Sequence, residues 1–205
     1  MEDVLDLYAE DYIEDYPVVT FDESPYQMIS ETRVPLGVEK GKPQRYDYEY
    51  KREGTCNLFL FFQPLGGWRH VKVTERRTTL DFAQCMKDLV DIHFPKATLI
   101  SVVLDKENTH TPAALYEAFE PAEARRIVSK LDFHYTPKHG SWLNMAECEF
   151  AVLLGQCLDQ RIANIATVRR KTRAWEQRRN SAKATVNWRF TTTKARLKLK
   201  RLYPS

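Results

Sequence analysis

The feature that most constrains the fold is an apolar, β-branched run at residues 99–104 that ends in Asp105. A run such as LISVVL is typical of a strand that is buried on both faces of a sheet. A carboxylate directly after a core strand lies where the sheet meets solvent, which is where open α/β sheets commonly bind ligands. A lone Asp in this position more often ends the strand and caps the next helix, so other segments must decide its meaning.

Strand and helix patterns alternate along the rest of the chain. Further strands are predicted at residues 17–23, 57–64, 70–75 and 131–137, and helices at residues 78–94, 111–130 (interrupted near Pro121), 143–159 and 163–179. Residues 24–51 are polar and rich in Pro and Gly, which predicts a loop or an irregular hairpin. This order predicts an α/β fold: a ribonuclease-H-like mixed five-stranded sheet flanked by helices, with a doubly wound parallel sheet as the alternative.

Charge is distributed unevenly along the 205 residues. Residues 1–32 carry ten Asp or Glu and no Lys or Arg, whereas residues 161–205 carry fourteen Lys or Arg and a single acid, Glu176. Such a basic end is typical of a segment that binds a polyanion, most often nucleic acid, and a solvated helical face is the alternative. We expect an acidic arm or short helix at residues 1–16, the α/β domain at residues 17–160 and a basic helical extension at residues 161–205.

Membrane-spanning and disulfide-rich classes are disfavoured. The apolar runs are too short to cross a bilayer, and the acidic N-terminus does not have the form of a secretory signal. The four cysteines lack C-x-x-C spacing, which favours reduced thiols over disulfides or a zinc site. We therefore expect a cytoplasmic protein, associated with the nucleoid if it binds DNA.

A second carboxylate is predicted on the inward side of the helix at residues 143–159. The apolar stripe of that helix consists of Leu143, Phe150, Leu154 and Leu158. Glu147 lies on this stripe, whereas Glu149 is about 200° around the helix and is expected to face away. Because an ionised carboxylate facing a core is costly when unpaired, Glu147 needs a shared metal ion or a salt bridge to Lys or Arg.

Asp22 offers a third carboxylate, after the apolar residues of the strand at residues 17–23. If that strand is adjacent to the strand at residues 99–104, Asp22 and Asp105 come close and repel each other unless a divalent cation lies between them. Oxygen ligands on rigid elements suit Mg²⁺ or Mn²⁺ rather than zinc. The chemistry implied is in-line attack on a phosphodiester at two metal ions about 3.5–4 Å apart.

Three segments resemble a known family: VVTFDE, VVLDKENTHTPAALYEAF and HYTPKHGSWLNMAE. They are similar to the DDE-type transposase catalytic domain of bacterial insertion sequences in the Tc/mariner superfamily, over almost the whole chain from Pro17. The resemblance implies a ribonuclease-H-like fold and Mg²⁺-dependent cutting and joining of DNA at transposon ends and target sites. It also implies that Asp22, Asp105 and Glu147 are the catalytic, metal-binding triad, and it favours Asp22 over Glu23.

The chain departs from the family pattern in two places. The family usually has Asn after the second Asp, where this chain has Lys106. We expect Lys106 either to weaken metal binding by partly replacing a metal charge or to turn outward to a DNA phosphate. The chain also begins too late for the family's N-terminal helix-turn-helix region, which suggests a separately encoded DNA-binding half or a truncated copy.

Three functions remain open on the sequence. They are a transposase core, a nuclease that cuts without joining, and a catalytically impaired DNA-binding remnant. A homodimer is compatible with all three. The predicted DNA contacts are Lys138, His139, Ser141 and Trp142 before Glu147, and Arg169, Arg170, Lys171, Lys198, Lys200 and Arg201 in the basic extension.

Overall fold

A five-stranded sheet of order β3-β2-β1-β4-β5 forms the centre of the computed structural model, which describes residues 1–43, 45, 47–138 and 140–203. The strands are β1 (Val18–Glu31), β2 (Tyr50–Gln63), β3 (Trp68–Thr74), β4 (Ile100–Leu104) and β5 (Leu131–Tyr135). β2 is antiparallel to β1 and to β3, whereas β4 is parallel to β1 and to β5. The predicted mixed sheet is confirmed, and the all-parallel alternative is wrong.

Seven α-helices surround the sheet in the described part of the chain. They are α1 (Glu2–Leu7), α2 (Thr79–Asp88), α3 (Pro112–Ala118), α4 (Pro121–Val128), α5 (Met145–Leu153), α6 (Ile165–Ser181) and α7 (Thr192–Lys198). The predicted start of a helix at residue 78 is confirmed, because Thr78 is the N-cap of α2 and forms a reciprocal capping box with Asp81. Pro121 separates α3 from α4 as expected. Single π-helical turns extend α2 and α5 over Leu89–His93 and Leu154–Leu158.

Each face of the sheet supports its own hydrophobic core, because side chains alternate along the strands. Leu58, Leu60 and Phe62 of β2 point to the face covered by α1, α5 and α6, which we call the α5 face. Phe59 and Phe61 point to the opposite face, covered by α2, α3 and α4, which we call the α2 face. Within β1 or β4, an odd or even residue number therefore determines the face of the sheet to which a polar side chain points.

The acidic N-terminal segment is partly helical and is built into the α5 face. Val4, Leu5 and Leu7 of α1 are buried. The Tyr8 hydroxyl donates a 2.8 Å hydrogen bond to the carbonyl of Leu143, just before α5. Arg196 of α7 forms a two-pronged ion pair with Glu2, with both N–O distances 2.7 Å. The acidic and basic ends of the chain thus contact each other directly.

Of the two alternatives predicted for residues 24–51, a loop or an irregular hairpin, the structure shows the irregular hairpin. β1 continues to Glu31 and β2 begins at Tyr50, and the two strands pair as an antiparallel ribbon with an irregularity between Gln27 and Ile29. The ribbon is held by backbone hydrogen bonds, and most of its side chains are not buried. It therefore lacks the apolar alternation that reveals a strand in sequence.

The four cysteines carry free thiols, as predicted. Within the described residues, no helix combines the length and the apolar character needed to cross a bilayer.

Candidate active site

Asp22 and Asp105 come together through the register of β1 and β4. Thr20 of β1 pairs with Val103 of β4 in a parallel ladder. Extending that register by two residues places Asp22 beside Asp105. Because side chains alternate along a strand, Asp22 and Asp105 both point to the α5 face. Adjacent strands are about 4.8 Å apart, so the two carboxylates are neighbours. Asp105 follows β4 as predicted, whereas Asp22 lies within β1, at the point where its pairing with β4 has ended.

Asn144 fixes the start of α5 against β1. Its side-chain oxygen caps the helix by accepting a hydrogen bond from the Ala146 amide (3.1 Å), and its side-chain nitrogen donates to the carbonyl of Phe21 (2.9 Å). Asn144 is buried. Phe21 directly precedes Asp22, and Glu147 is the third residue of α5. The Asn144 side chain therefore fixes the start of α5, and with it Glu147, relative to the strand that carries Asp22.

The negative charges of three other carboxylates act on Asp22. Burial raises the pKa of Asp22 to about 7, and the charges of Glu23, Asp105 and Glu147 add to the rise, while a hydrogen bond from the Glu23 amide opposes it. No cation forms an ion pair with Asp22 or Glu147 among the residues described. Two members of the carboxylate cluster formed by Asp22, Asp105 and Glu147 therefore have no cationic partner, and an oxygen-rich site of this kind suits a hard divalent cation.

The burial predicted for Glu147 and Glu149 is wrong. Glu147 is exposed, whereas Glu149 is 2% exposed. The helix begins at Met145 rather than Leu143, and its π-helical turn rotates the later residues, so that Leu154 is on the outside. Glu149 is neutralised by Arg69, whose Nε lies 2.9 Å away, and by Arg179, whose Nε lies 3.0 Å away. Glu147, rather than Glu149, nevertheless contributes to the field at Asp22.

His110 connects the carboxylate cluster to the α2 face. Its Nδ1 lies 2.6 Å from Asp105 Oδ1, and its Nε2 lies 2.9 Å from Glu23 Oε2. Burial disfavours the charged imidazole, but the hydrogen bonds to Asp105 and Glu23 outweigh burial and raise the pKa of His110 to about 10. We call the arrangement of Glu23, His110 and Asp105 the His110 bridge, and in it the imidazolium holds one oxygen of Asp105 in place.

A second set of potential metal ligands lies beside the bridge. Ligand atoms of Glu23, Glu107 and His110 are all within 4.8 Å of one another. This set already has positive charge, because Arg77 forms ion pairs with Glu23 (3.3 Å) and Glu107 (3.8 Å) and His110 is protonated at neutral pH. The donor chemistry of the carboxylate cluster fits Mg²⁺ or Mn²⁺ better, since its ligands are all oxygen atoms, whereas this set includes an imidazole that is already charged.

Sequence reasoning missed the roles of Glu23 and His110. The family resemblance favours Asp22 over its neighbour Glu23, and His110 is only one residue of the segment VVLDKENTHTPAALYEAF. The available signal was the parity of β1, which points Asp22 and Glu23 to opposite faces, together with a histidine five residues after Asp105.

A sequence model of the family described as DDE superfamily endonuclease matches residues 17–169. This match covers most of the chain, including all three residues of the carboxylate cluster. The chain belongs to the DDE superfamily endonucleases. The sequence-based identification of a DDE-type enzyme is thereby confirmed. No curated protein sequence matches this DDE endonuclease.

Solved structures of the Mos1 mariner transposase share the fold of this DDE endonuclease. The Mos1 paired-end complex with left transposon end superposes with a TM-score of 0.58 at 16% identity, over 85% of this chain and 51% of that chain. The Mos1 paired-end complex with Mn gives 0.58 at 16% identity, over 88% and 54%. The Mos1 strand transfer complex gives 0.57 at 13% identity, over 90% and 59%. The ribonuclease-H-like fold is thereby confirmed, and the chain spans little more than half of each Mos1 chain.

The predicted DNA contacts of this DDE endonuclease fall into three places. Lys138 and Ser141 line a pocket beside Asp105, and Trp142 is 41% exposed with its ring against the edge of Phe190. His139 lies outside the described residues. The remaining contacts are on the basic extension: Arg169, Arg170 and Lys171 on α6, and Lys198, Lys200 and Arg201 at and after the end of α7. All of these described residues except Lys171 are exposed, and Lys171 donates to Gln160 (2.8 Å).

Proposed function

We propose that this chain is the catalytic core of a metal-dependent DNA transposase, with Asp22, Asp105 and Glu147 as its catalytic and metal-binding residues. The observation that carries the proposal is the raised pKa of Asp22, which reflects burial and the negative charges of Asp105 and Glu147 around it. Carboxylates held close together repel one another, and such groups persist in proteins mainly where a metal ion or a reaction needs them. The family match and the Mos1 fold support DNA as the substrate.

The residues of the cluster would hold Mg²⁺ or Mn²⁺ through oxygen atoms on two strands and one helix. When bound there, the metal would activate the attacking oxygen and stabilise the leaving oxygen of a phosphodiester. Asp22 and Asp105 are fixed by the parallel pairing of β1 and β4. Glu147 is carried by the first turn of α5, whose position depends on Asn144. The exposure of Glu147 leaves the cluster open to a substrate as large as DNA.

Two surfaces are proposed to bind the DNA backbone. The first is the rim of the cluster, with Lys138, Ser141 and Trp142. The second is the basic extension at residues 161–205, in which Arg170, Arg173 and Arg178 of α6 are exposed. Neither surface presents a known base-reading motif, so its contacts are expected to be with phosphates and to be insensitive to sequence. In this proposal residues 17–160 form the catalytic domain, and α1 belongs to the same packed unit.

The experiment is Mg²⁺-dependent nicking of supercoiled plasmid, followed by joining of a labelled oligonucleotide with a free 3′-hydroxyl into that plasmid. The proposal predicts nicking and joining with Mg²⁺ or Mn²⁺, no activity in EDTA, and loss of both in Asp105→Asn. Nicking without joining would indicate a nuclease instead. DNA binding without nicking in either metal would contradict an enzyme and indicate a DNA-binding remnant.

A further inference from the structure

A pocket of about 650 Å³ opens beside Asp105. It is lined by Asp105, Lys106, Tyr135, Thr136, Pro137, Lys138 and Ser141. Its walls come from the residues that follow β4 and β5, so it adjoins the carboxylate cluster at the same edge of the sheet. A volume of this size is within the range of protein sites that hold small ligands or parts of larger ones.

The charges around this pocket are arranged for an anion. Lys106 and Lys138 both line it, and neither forms an ion pair or a hydrogen bond with any residue that the structure describes. The Ser141 hydroxyl adds a third donor. The Tyr135 hydroxyl is engaged in a 2.9 Å hydrogen bond to the carbonyl of His110, so Tyr135 contributes its ring to the wall.

Lys106 is not the counter-ion of Asp105. That position is taken by His110, at 2.6 Å, while Lys106 is exposed and lines the pocket. Of the two expectations for Lys106, the geometry favours the outward one. An ammonium directed into the pocket can attract an anion there without occupying the place of a metal ion between Asp105 and Asp22.

We propose that this pocket binds a backbone phosphate of the DNA strand, next to the phosphodiester held at the carboxylate cluster, through Lys106, Lys138 and Ser141. The proposal rests on the proposed function, since the cluster defines which phosphodiester is cut. A phosphate so placed would be held by two point charges on flexible stems, which suits a backbone contact that does not depend on sequence. Its role is to position the strand relative to Asp105.

The test measures binding of a DNA duplex as a function of salt for the full chain and for Lys106→Gln, Lys138→Gln and the double variant. Lys96→Gln is the matched control, because Lys96 is an exposed lysine just before β4, at the opposite end of that strand. The double variant should lower the slope of log affinity against log salt by about 0.9, the value for one phosphate, and each single variant by part of that, with the control unchanged.

A second arm locates the phosphate. Single neutral methylphosphonates are placed at successive positions of one DNA strand. One position should weaken wild-type binding several-fold and have no further effect on the double variant. If the pocket variants bind DNA with the same salt slope as Lys96→Gln, or if no methylphosphonate position loses its effect in the double variant, the pocket proposal is wrong.

Failure of the proposed function would look different. If the chain nicks plasmid with Mg²⁺ while the pocket variants retain the wild-type salt slope, the pocket proposal fails and the enzyme stands. If the pocket variants have a reduced salt slope but the chain does not nick plasmid with any metal, the phosphate site is supported and the proposed enzymatic function is wrong.

Discussion

His110 Nδ1 lies 2.6 Å from Asp105 Oδ1, and the opposite ring nitrogen lies 2.9 Å from Glu23 Oε2. The ring is 1% exposed and packs against Phe21 and Phe82. One side chain thus connects a carboxylate on the α5 face with a carboxylate on the α2 face. Since the ring can scarcely move, it fixes the orientation of Asp105 before any metal binds.

The first prediction concerns this bridge. His110→Ala should raise the Mg²⁺ concentration required for half-maximal nicking about tenfold or more, because Asp105 loses the partner that orients it. His110→Asn, whose amide can reach toward Asp105, should recover part of the loss. The measurement is a Mg²⁺ titration of plasmid nicking, with melting temperature recorded in parallel.

His134 provides a matched control for the bridge. Its ring also contacts two carboxylates, Asp3 at 2.8 Å and Asp132 at 3.2 Å, on the surface of the protein. His134→Ala should leave the Mg²⁺ requirement unchanged. Equal Mg²⁺ shifts in the two variants would show that His110 does not act through Asp105.

The second prediction separates Glu147 from Glu149. Glu149→Gln leaves the guanidinium of Arg69 buried without its charge partner, which should cost about 3–5 kcal/mol of unfolding free energy. Glu147→Gln should leave stability within about 0.5 kcal/mol, because exposed positions contribute little, and should abolish nicking. Denaturant unfolding and plasmid nicking measure the two effects. A stable, active Glu147→Gln protein would remove Glu147 from the site.

The third prediction concerns Asn144, which caps α5 and donates to the Phe21 carbonyl. Asn144→Ala should lose about 2–3 kcal/mol, from the cap and from the buried hydrogen bond together, and should reduce nicking. Asn164 is the control, because it caps α6 in the same way (2.9 Å to the Thr167 amide) but is exposed. Asn164→Ala should cost about 1 kcal/mol and retain nicking. Equal nicking by both variants would refute a positioning role for Asn144.

The fourth prediction is a pH dependence of stability without metal. The pKa of Asp22 rises from 3.8 to about 7 on folding, and that of His110 rises from 6.5 to about 10. Both shifts mean that the folded state binds more protons than the unfolded state. The contribution of Asp22 is therefore present below pH 4 and is lost as pH rises to 7, and that of His110 is present below pH 6.5 and is lost by pH 10.

The variants separate these two ranges. In EDTA, Asp22→Asn should gain stability relative to wild type between pH 4 and pH 7, by at most about 4 kcal/mol, with a constant difference above pH 7. His110→Asn should remove the decline between pH 6.5 and pH 10. Urea unfolding at a series of pH values provides the measurement. A wild-type stability that rises with pH across both ranges would contradict the assigned shifts.

Much of the fold could be predicted because its signals are local. The apolar run before Asp105 and the break at Pro121 each define an element through local residues. For the β1–β2 ribbon the sequence leaves a loop and an irregular hairpin as alternatives, because backbone pairing rather than burial holds the ribbon. The burial of Glu149 was also hidden, since its partners Arg69 and Arg179 are distant in sequence. Ion pairs between separate elements leave no periodic pattern.

Part of the sequence argument for the carboxylate cluster is wrong. The expected adjacency of the two strands agrees with the parallel pairing of β1 and β4, whose register places Asp22 beside Asp105. The helix argument placed Glu147 in the core, whereas the structure places it at the exposed start of α5 and close enough to influence Asp22. An exposed Glu147 is accessible to a substrate in the proposed function, which burial would prevent.

The central claim is that Asp22, Asp105 and Glu147 form one divalent-metal site, and Mn²⁺ binding to the chain in the absence of DNA tests it most directly. Titration followed by electron paramagnetic resonance should show that Asp22→Asn, Asp105→Asn and Glu147→Gln each weaken Mn²⁺ binding about tenfold or more. Glu107→Gln, which alters only the neighbouring set of Glu23, Glu107 and His110, should bind Mn²⁺ like wild type. Weak binding by Glu107→Gln together with wild-type binding by Asp22→Asn would place the metal in that neighbouring set and contradict the account.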